Sequence, residues 1–203
     1  MTLKRAEVLV ALGSNQPSHA GNALQTVAFA MDELQKAGGQ IAAKSEYYQT
    51  SAFPAGSGPD FVNAAARLAW DASPLEILNA LHAIEASLGR ERAHRWAPRT
   101  VDLDLIAVGD AVLPDAKTHQ KWRLLPPDRQ AKDAPDRLIL PHPRLQDRPF
   151  VLVPLAEVAP SWVHPVLGLD VRTLLSRCDA AEIADVRVLD QDGFAVVNKG
   201  DSA

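Results

Sequence analysis

The sequence contains a single cysteine, Cys178, so neither an intrachain disulfide nor a cysteine-based zinc site can form. A reducing compartment is the simplest setting for such a chain. No apolar run approaches the length of a transmembrane helix. The start of the chain, Met1 to Arg5, is too short and too polar for a signal peptide. We therefore predict a cytoplasmic protein without a membrane partner.

Positive charge and aromatic residues are also scarce. The formal net charge is −4, and Phe, Trp and Tyr together make up 5% of the residues. Nucleic-acid binding normally uses a basic surface with rings on which bases stack, so this composition argues against it. If the protein binds an anionic ligand, a local cluster of positive charge must do so.

The 203 residues, 47% of them hydrophobic, are enough to form a buried core without disulfides or a structural metal. We predict a main domain over residues 1–178, interrupted by a surface excursion over 110–137. A C-terminal extension over 179–203 follows. Its segments Val186–Leu189 and Phe194–Val197 flank a polar turn, which favours a hairpin and a frayed tail about equally.

Hydrophobic periodicity predicts an α+β protein, with helices packed on one face of a sheet. Helix signals are clearest at Ser73, which is followed by Pro74 and by Glu76 as a capping box, with Gly89 at the end. The predicted strands are Val8–Leu12, Ile41–Thr50, Phe61–Trp70 and Val101–Val108, and the predicted helices cover 24–34, 74–88 and 150–158.

The excursion, Asp110 to Arg137, is polar and contains four prolines, which indicates a long surface loop. Its apolar residues are clustered at Trp122, Leu124 and Leu125. Such a cluster usually anchors a loop to its own chain, and we predict that role rather than a subunit contact.

Asp102 and Asp104 are two residues apart on a predicted strand and should therefore point to the same face. Val101, Leu103 and Leu105 should point to the other face, into the core. Two neighbouring carboxylates repel each other, and a divalent cation relieves that repulsion. Magnesium prefers a few carboxylate oxygens combined with substrate phosphates. Taken alone, the pattern fits an exposed pair of solvated acids about as well.

A cluster of arginines directly precedes this strand. Four guanidinium groups lie within ten residues of an otherwise acidic chain: Arg90, Arg92, Arg95 and Arg99. Guanidinium groups bind phosphate oxygens in a bidentate fork. A solvated charge run remains the alternative, but cations that lead straight into a carboxylate pair suit a polyphosphate with its magnesium ions.

The segment Arg90–Leu105 resembles the signature of the 6-hydroxymethyl-7,8-dihydropterin pyrophosphokinase family. Further matching blocks follow the first strand, open the third strand and extend along the C-terminal third of the predicted domain. They are Gly13–Asn15, Pro59–Ala64, Pro141–Arg144 and Asp147–Leu152 with Pro154, Leu155 and Glu157. The resemblance covers about Val8 to Cys178 outside the excursion. Ala97 and Ser51 depart from the glycine and proline that are common at those positions.

The resemblance implies a ferredoxin-like βαββαβ sandwich with a mixed or antiparallel sheet. It also implies transfer of pyrophosphate from ATP to the hydroxymethyl oxygen of the pterin, with release of AMP, in folate biosynthesis. Two magnesium ions would be held by Asp102 and Asp104, and Arg90 and Arg99 would steady the transferring group. The implied ATP contacts are Arg92, Arg95, Trp96, His142 and Arg148.

For the pterin, the resemblance implies a sandwich between the rings of Phe61 and Phe150. Asn63 would read the edge of the heterocycle, and Gly13 and Thr50 would contact it through their backbones. Core packing is the commoner role of a phenylalanine. The implied partners are small molecules alone, and we expect a monomer, with a dimer as the alternative.

Two other functions remain open at this point. A sugar-nucleotide transferase could use the Asp-x-Asp pair, but it would not account for the phenylalanine and asparagine blocks. A non-catalytic binding module on a ferredoxin-like fold would have no need of paired aspartates.

Overall fold

The computed structural model describes residues 5–52, 58–89, 100–126, 129 and 133–190. The strands are β1 Ala6–Ser14, β2 Gln40–Lys44, β3 Tyr48–Thr50, β4 Phe61–Trp70, β5 Asp102–Val108 and β6 Arg187–Val188. The helices are α1 Ala23–Lys36, α2 Pro74–Ser87, α3 Ala116–Arg123, α4 Pro149–Val158, α5 Val171–Leu175 and α6 Ala180–Ala184, with a 3-10 turn at Leu145–Asp147. No helix in these ranges is long and apolar enough to span a membrane.

The strands form one antiparallel sheet in the order β5-β1-β4-β3-β6, and β2 also pairs with β4. This arrangement is the predicted ferredoxin-like βαββαβ core. The predicted second strand, Ile41–Thr50, is divided into β2 and β3. At the break, Ser45 N–H donates to the Ala65 carbonyl, and the Ser45 hydroxyl accepts from Ala65 N–H, each at 2.9 Å. A side chain thus replaces part of the backbone ladder.

One face of the sheet is covered by α1 and α2. Both helices begin with a capping box, Asn22 with Gln25 and Ser73 with Glu76, which satisfies backbone donors that have no partner within the helix. Val8, Val10 and Leu12 of β1 point into this layer and are at most 2% exposed. We refer to this side as the α1/α2 face.

The opposite face is also covered, and the prediction that helices pack on one face is therefore wrong. Leu9 and Ala11 of β1 pack against α4 and α5, together with Ile106 of β5 and Ala65 of β4. We refer to this side as the α4 face. Strand residues buried on both faces read as a continuous apolar run, which is the pattern of residues 8–12.

The excursion contains a helix, α3, where the sequence predicted an irregular loop. Asp115 caps the helix by accepting from Thr118 N–H at 2.9 Å. The predicted apolar anchor is partly wrong, because Leu124 is 60% exposed. His119 is fully buried instead, and its Nε2 lies 3.0 Å from the Pro141 carbonyl oxygen.

His119 meets a second buried histidine from the segment after α4. The rings of His119 and His164 are 5.6 Å apart in an edge-to-face arrangement. His164 Nδ1 accepts backbone N–H groups from Val166 and Leu167. Burial is the main reason that the pKa of His119 is lowered. It also lowers the pKa of His164, to about 4. Both rings are therefore neutral at pH 7, and they join the excursion to the body of the protein.

The segment after residue 178 is folded as far as the structure describes it. Asp179 caps α6 by accepting from Ala181 N–H and Glu182 N–H. β6 then pairs with β3, so Val186–Leu189 joins the main sheet at its edge. The partner strand of the predicted hairpin, Phe194–Val197, lies outside the described residues.

Candidate active site

Four neighbouring strands bring polar residues together at one end of the α4 face. Gly13 of β1 pairs with Asn63 of β4 on one side and with Asp102 of β5 on the other. Thr50 of β3 pairs with Phe61 of β4. The antiparallel register thus makes adjacent neighbours of residues that are far apart in sequence.

Asp102 and Asp104 point to the α4 face, as the period-two pattern predicts. Val101, Leu103 and Leu105 are buried on the α1/α2 face, each at most 4% exposed. Glu85 of α2 lies under the strand, where its Oε1 accepts from Leu103 N–H at 2.9 Å. The core on one side therefore fixes the direction of the two carboxylates on the other.

Arg148 forms an ion pair with Asp104, and its Nη1 lies 3.0 Å from Asp104 Oδ2. Both side chains remain partly exposed, at 25% and 30%. The same guanidinium lies 5.8 Å from the ring of Phe150. Arg148 therefore connects the carboxylate pair to an aromatic wall, and its charge balances part of the negative charge of the aspartates.

His142 lies beside this ion pair. Its backbone N–H donates to the Ile106 carbonyl at 2.8 Å, and its Nδ1 accepts from Arg144 N–H at 3.2 Å. Burial is the main reason that the pKa of His142 is lowered to about 4. The nearby negative charge of Asp104 acts in the opposite direction and raises it. The ring is thus neutral at pH 7. Because Nδ1 accepts, the proton resides on Nε2, which can donate to an oxygen ligand.

Phe61, Asn63 and Phe150 form the other half of the site. Asn63 is 5% exposed, and its amide nitrogen donates to the Thr50 hydroxyl at 2.8 Å. A Cβ at position 13 would come within 3.2 Å of Asn63 Oδ1, so glycine there leaves the amide oxygen unobstructed. Phe150 is 38% exposed at the start of α4, which is more consistent with a ligand-contacting ring than with core packing.

The carboxylate pair lies where two cavities meet. The larger one, about 780 Å³, is lined by Asp102, Asp104, His142 and Arg148 and by residues of α2 and the excursion. The smaller one, about 180 Å³, is lined by the two aspartates and Arg148 together with Gly13, Phe61, Asn63, Phe150 and their neighbours. A third cavity, of about 640 Å³, shares Phe61, Asn63 and Phe150 with the second. The arrangement can hold a large polyanion on one side of the carboxylates and a flat, polar-edged ring on the other.

The arginine block lies outside the described residues. This concerns Arg90, Arg92, Arg95, Trp96 and Arg99, whose predicted roles stay predictions. The described chain resumes at Thr100, whose carbonyl accepts the Ser14 hydroxyl at 2.5 Å. Ser14 is adjacent to Gly13, so the described chain resumes at the rim of the site.

Sequence reasoning missed several residues that line these cavities. Trp122 and Leu125 of the excursion, and Leu138 directly after it, line the larger cavity. Ala181, Glu182, Asp185 and Val186 line the third cavity. The excursion begins after the aspartate strand and ends just before His142, which indicates that it lies near the site. No motif identifies the individual lining residues in either segment.

Within the described residues, no group of three or more His, Cys, Asp or Glu side chains has the geometry of a metal site. Among the described residues, Asp102 and Asp104 are the candidate ligands of a cation, and substrate or water oxygens could complete its shell. Magnesium is bound in this way, with one or two carboxylates and with substrate phosphates completing its shell. The donor set thus fits magnesium.

Comparison with known proteins agrees with this geometry. The model of the 7,8-dihydro-6-hydroxymethylpterin-pyrophosphokinase (HPPK) family matches residues 9–160. The 2-amino-4-hydroxy-6-hydroxymethyldihydropteridine pyrophosphokinase of Synechocystis is 38% identical over 176 residues, which cover 86% of this chain and 77% of that protein. The enzyme of the same name from Pseudomonas aeruginosa is 36% identical over 171 residues, which cover 84% and 91%.

Solved structures support the fold. The wild-type HPPK-DHPS of Plasmodium falciparum with pteroate aligns with a TM-score of 0.63 at 15% identity. The alignment covers 92% of this chain and 46% of that longer one. From the family match and the identity to these relatives, we conclude that the chain belongs to the 7,8-dihydro-6-hydroxymethylpterin-pyrophosphokinase family.

Proposed function

We propose that the protein transfers the β,γ-pyrophosphoryl group of ATP to the hydroxymethyl oxygen of 6-hydroxymethyl-7,8-dihydropterin and releases AMP, in folate synthesis. The observation that carries this proposal is the position of Asp102 and Asp104 between two cavities. One cavity has cationic and histidine donors suited to phosphates. The other has two phenylalanines and an amide suited to a pterin.

Asp102 and Asp104 would hold two magnesium ions with the phosphates of ATP. When bound, the ions would supply charge neutralisation at the phosphates and would acidify the attacking hydroxyl group. Both carboxylates point toward the cavities, because Leu103 and Leu105 hold their strand in place from the opposite face. The position of the cavities would keep the hydroxymethyl group and the β-phosphorus close together.

His142 and Arg148 would contact the phosphates. The Nε2 of His142 can donate to a phosphate oxygen, because its Nδ1 already accepts from Arg144 N–H. Arg148 pairs with Asp104 in this structure, and it is partly exposed to the cavity. A phosphate oxygen can replace Asp104 as its partner, because guanidinium groups bind phosphate and carboxylate in the same way. The family resemblance implies that Arg90, Arg92, Arg95 and Arg99 supply the remaining cationic contacts, and that Trp96 also contacts ATP.

The pterin would lie between Phe61 and Phe150, with its edge toward Asn63. The asparagine amide offers both donors and an acceptor, which matches the mixed edge of a pterin. Its hydrogen bond to Thr50 fixes the amide before the ligand arrives. Because the amide is already oriented, less entropy is lost when the ligand binds.

We also propose a cytoplasmic location and small-molecule partners alone. The single cysteine supports the location, and the acidic net charge argues against a nucleic-acid partner. The monomer remains the expected oligomeric state, with a dimer as the alternative.

The decisive assay identifies the nucleotide product. The purified protein is incubated with ATP, magnesium and 6-hydroxymethyl-7,8-dihydropterin, and products are followed by phosphorus NMR. We expect AMP and a pterin diphosphate in equal amounts. Formation of ADP and a pterin monophosphate would show single phosphoryl transfer instead, and would contradict the proposal.

A further inference from the structure

The C-terminal segment, residues 179–190, forms an outer wall of the cavity beyond Phe61 and Phe150. The cavity of about 640 Å³ is bounded on one side by Thr50, Phe61, Asn63 and Phe150 and on the other by residues of α6 and the turn after it. The family model matches residues 9–160, so this wall lies beyond the matched region.

Asp185, at the C-terminal end of α6, joins this wall to the loop that follows β3. Its Oδ2 accepts Ser51 N–H at 2.9 Å, and its Oδ1 accepts the Ser51 hydroxyl at 2.7 Å. The carboxylate thus receives two donors from one residue, which fixes both the position and the rotation of Ser51. The two Ser51 donors, the side chain first, keep the pKa of Asp185 below its usual range, and Arg187 contributes in the same direction.

Ser51 directly follows Thr50, whose hydroxyl orients Asn63. β6 pairs with β3 at Tyr48 and Gln49, and Leu189 N–H donates to the Tyr47 carbonyl at 2.8 Å. The C-terminal segment therefore holds β3 along its edge and, through Asp185, at its end. Proline at position 51 would lack both donors, so this contact depends on the departure from the proline that is common there.

We propose that Asp185 is a positioning residue for the pterin: through Ser51 it fixes Thr50 and Asn63, and it closes the outer side of the ring pocket with α6. This inference rests on the proposed function. It adds a segment outside the family match to the substrate site. It also predicts that changes in this segment alter pterin binding without altering the nucleotide side.

The test is the effect of Asp185→Ala on the two substrates separately. We expect the KM for the pterin to rise about fivefold, with kcat and the KM for ATP within a factor of two, because uniform binding is lost and the metal site is untouched. Asp185→Asn should recover part of the loss, since its amide oxygen can accept one of the two Ser51 donors. Direct binding of the pterin, measured calorimetrically with a non-hydrolysable ATP analogue, should weaken by the same factor.

Two further variants separate positioning from general destabilisation. Ser51→Ala removes the hydroxyl and keeps the backbone donor, so it should have a smaller effect, and the double variant Ser51→Ala/Asp185→Ala should equal Asp185→Ala alone. Asp170→Ala is the matched control, because Asp170 caps α5 through Thr173 and does not line the cavity. It should lower the unfolding temperature without changing the KM for the pterin.

The outcomes distinguish this inference from the proposed function. If the unaltered protein makes no pterin diphosphate, the proposed function fails. If it does, and Asp185→Ala binds the pterin as tightly as the parent, the proposed function stands and the positioning role of Asp185 is wrong. A fall in apparent kcat with both KM values unchanged, matched by Asp170→Ala, would also overturn the inference, because it would indicate loss of folded protein.

Discussion

The two faces of the sheet differ in how far their apolar layers extend. On the α1/α2 face, apolar side chains continue through Leu12 of β1 to Val101 beside β5, and Ser14 is the polar last residue of β1. On the α4 face, the apolar layer stops partway. In β1, the residues on this face change from the apolar Leu9 and Ala11 to Gly13. The two neighbouring strands change at the same level: β4 from Ala65 to Asn63, and β5 from Ile106 to Asp104 and Asp102.

This difference shows how one sheet supports both stability and chemistry. The complete layer on the α1/α2 face holds the strands rigid. The incomplete layer on the α4 face leaves a polar end that two cavities reach. We therefore expect substitutions on the first face to affect mainly folding, and those at the polar end to affect mainly turnover.

The largest effect is expected at the carboxylates. Asp104→Asn or Asp102→Asn should lower kcat by about 10³-fold or more, because each removes a charged metal ligand worth several kcal/mol in the transition state. The fold should persist, since Leu103 and Leu105 still hold the strand. Glu7→Gln is the matched control, on the same face at the other end of β1, 3.6 Å from Arg67. Near-normal turnover of either aspartate variant at saturating magnesium would refute the metal assignment.

The next effect lies on the α1/α2 face. Leu81→Ala should lower the free energy of unfolding by about 3 kcal/mol, because Leu81 is fully buried and its removal leaves a cavity. Leu75→Ala on the same helix should cost far less, because Leu75 is 59% exposed. Both are measured by urea unfolding. A changed KM for the pterin in folded Leu81→Ala protein would show that the two faces are not separate in function.

A smaller effect is expected at Asn63. Asn63→Ala should raise the KM for the pterin about thirtyfold, since a buried, oriented amide that reads the ligand is lost. Thr50→Val removes only the hydrogen bond that orients the amide, and it should raise the KM less. If the two variants raised the KM for the pterin equally, the role of Asn63 would be to hold Thr50 in place rather than to contact the ligand.

The smallest effect concerns pH and the two buried histidines that hold the excursion. The pKa of His164 is about 4 in the folded protein, below the ordinary value of about 6.5. The unfolded chain therefore binds more protons between these values, and stability falls as pH drops from about 6.5 toward 4. His119 contributes in the same direction because burial lowers its pKa too. The charged group near both rings is Arg123, which also lowers the two pKa values.

Replacement of His164 by asparagine tests this linkage. The Asn oxygen can accept the two backbone donors that His164 Nδ1 now receives, but it does not titrate. The parent should lose about 2 kcal/mol more stability than His164→Asn between pH 7 and pH 4.5. Parallel pH curves for the two proteins would show that His164 does not govern acid stability in this range. The carboxylates with lowered pKa values, such as Asp115 and Asp170, act below this window.

Much of the polar end could be predicted from sequence. The period-two alternation of residues 101–105 is enough to direct both carboxylates to one face, and the structure agrees. The matched blocks also indicated Gly13, Phe61 and Asn63 as site residues. Their adjacency comes from strand register, which single-strand patterns do not determine.

Other features depend on contacts that no local pattern encodes. The strand break at Ser45 arises because its side chain hydrogen-bonds to Ala65, twenty residues away. His119 looks solvent-facing in a polar segment, yet His164 and Pro141 bury it. The bond from Ser51 to Asp185 joins residues that are 134 positions apart in the sequence. In each case the partner is distant in sequence, so local sequence patterns could not predict the contact.

The central claim is that the polar end of the α4 face is where both substrates meet. A crystal structure with magnesium, a non-hydrolysable ATP analogue and 6-hydroxymethyl-7,8-dihydropterin tests it most directly. We expect magnesium within about 2.1 Å of carboxylate oxygens of Asp102 and Asp104, and the pterin ring between Phe61 and Phe150. A metal coordinated by neither aspartate, or a pterin bound away from Asn63, would contradict the account.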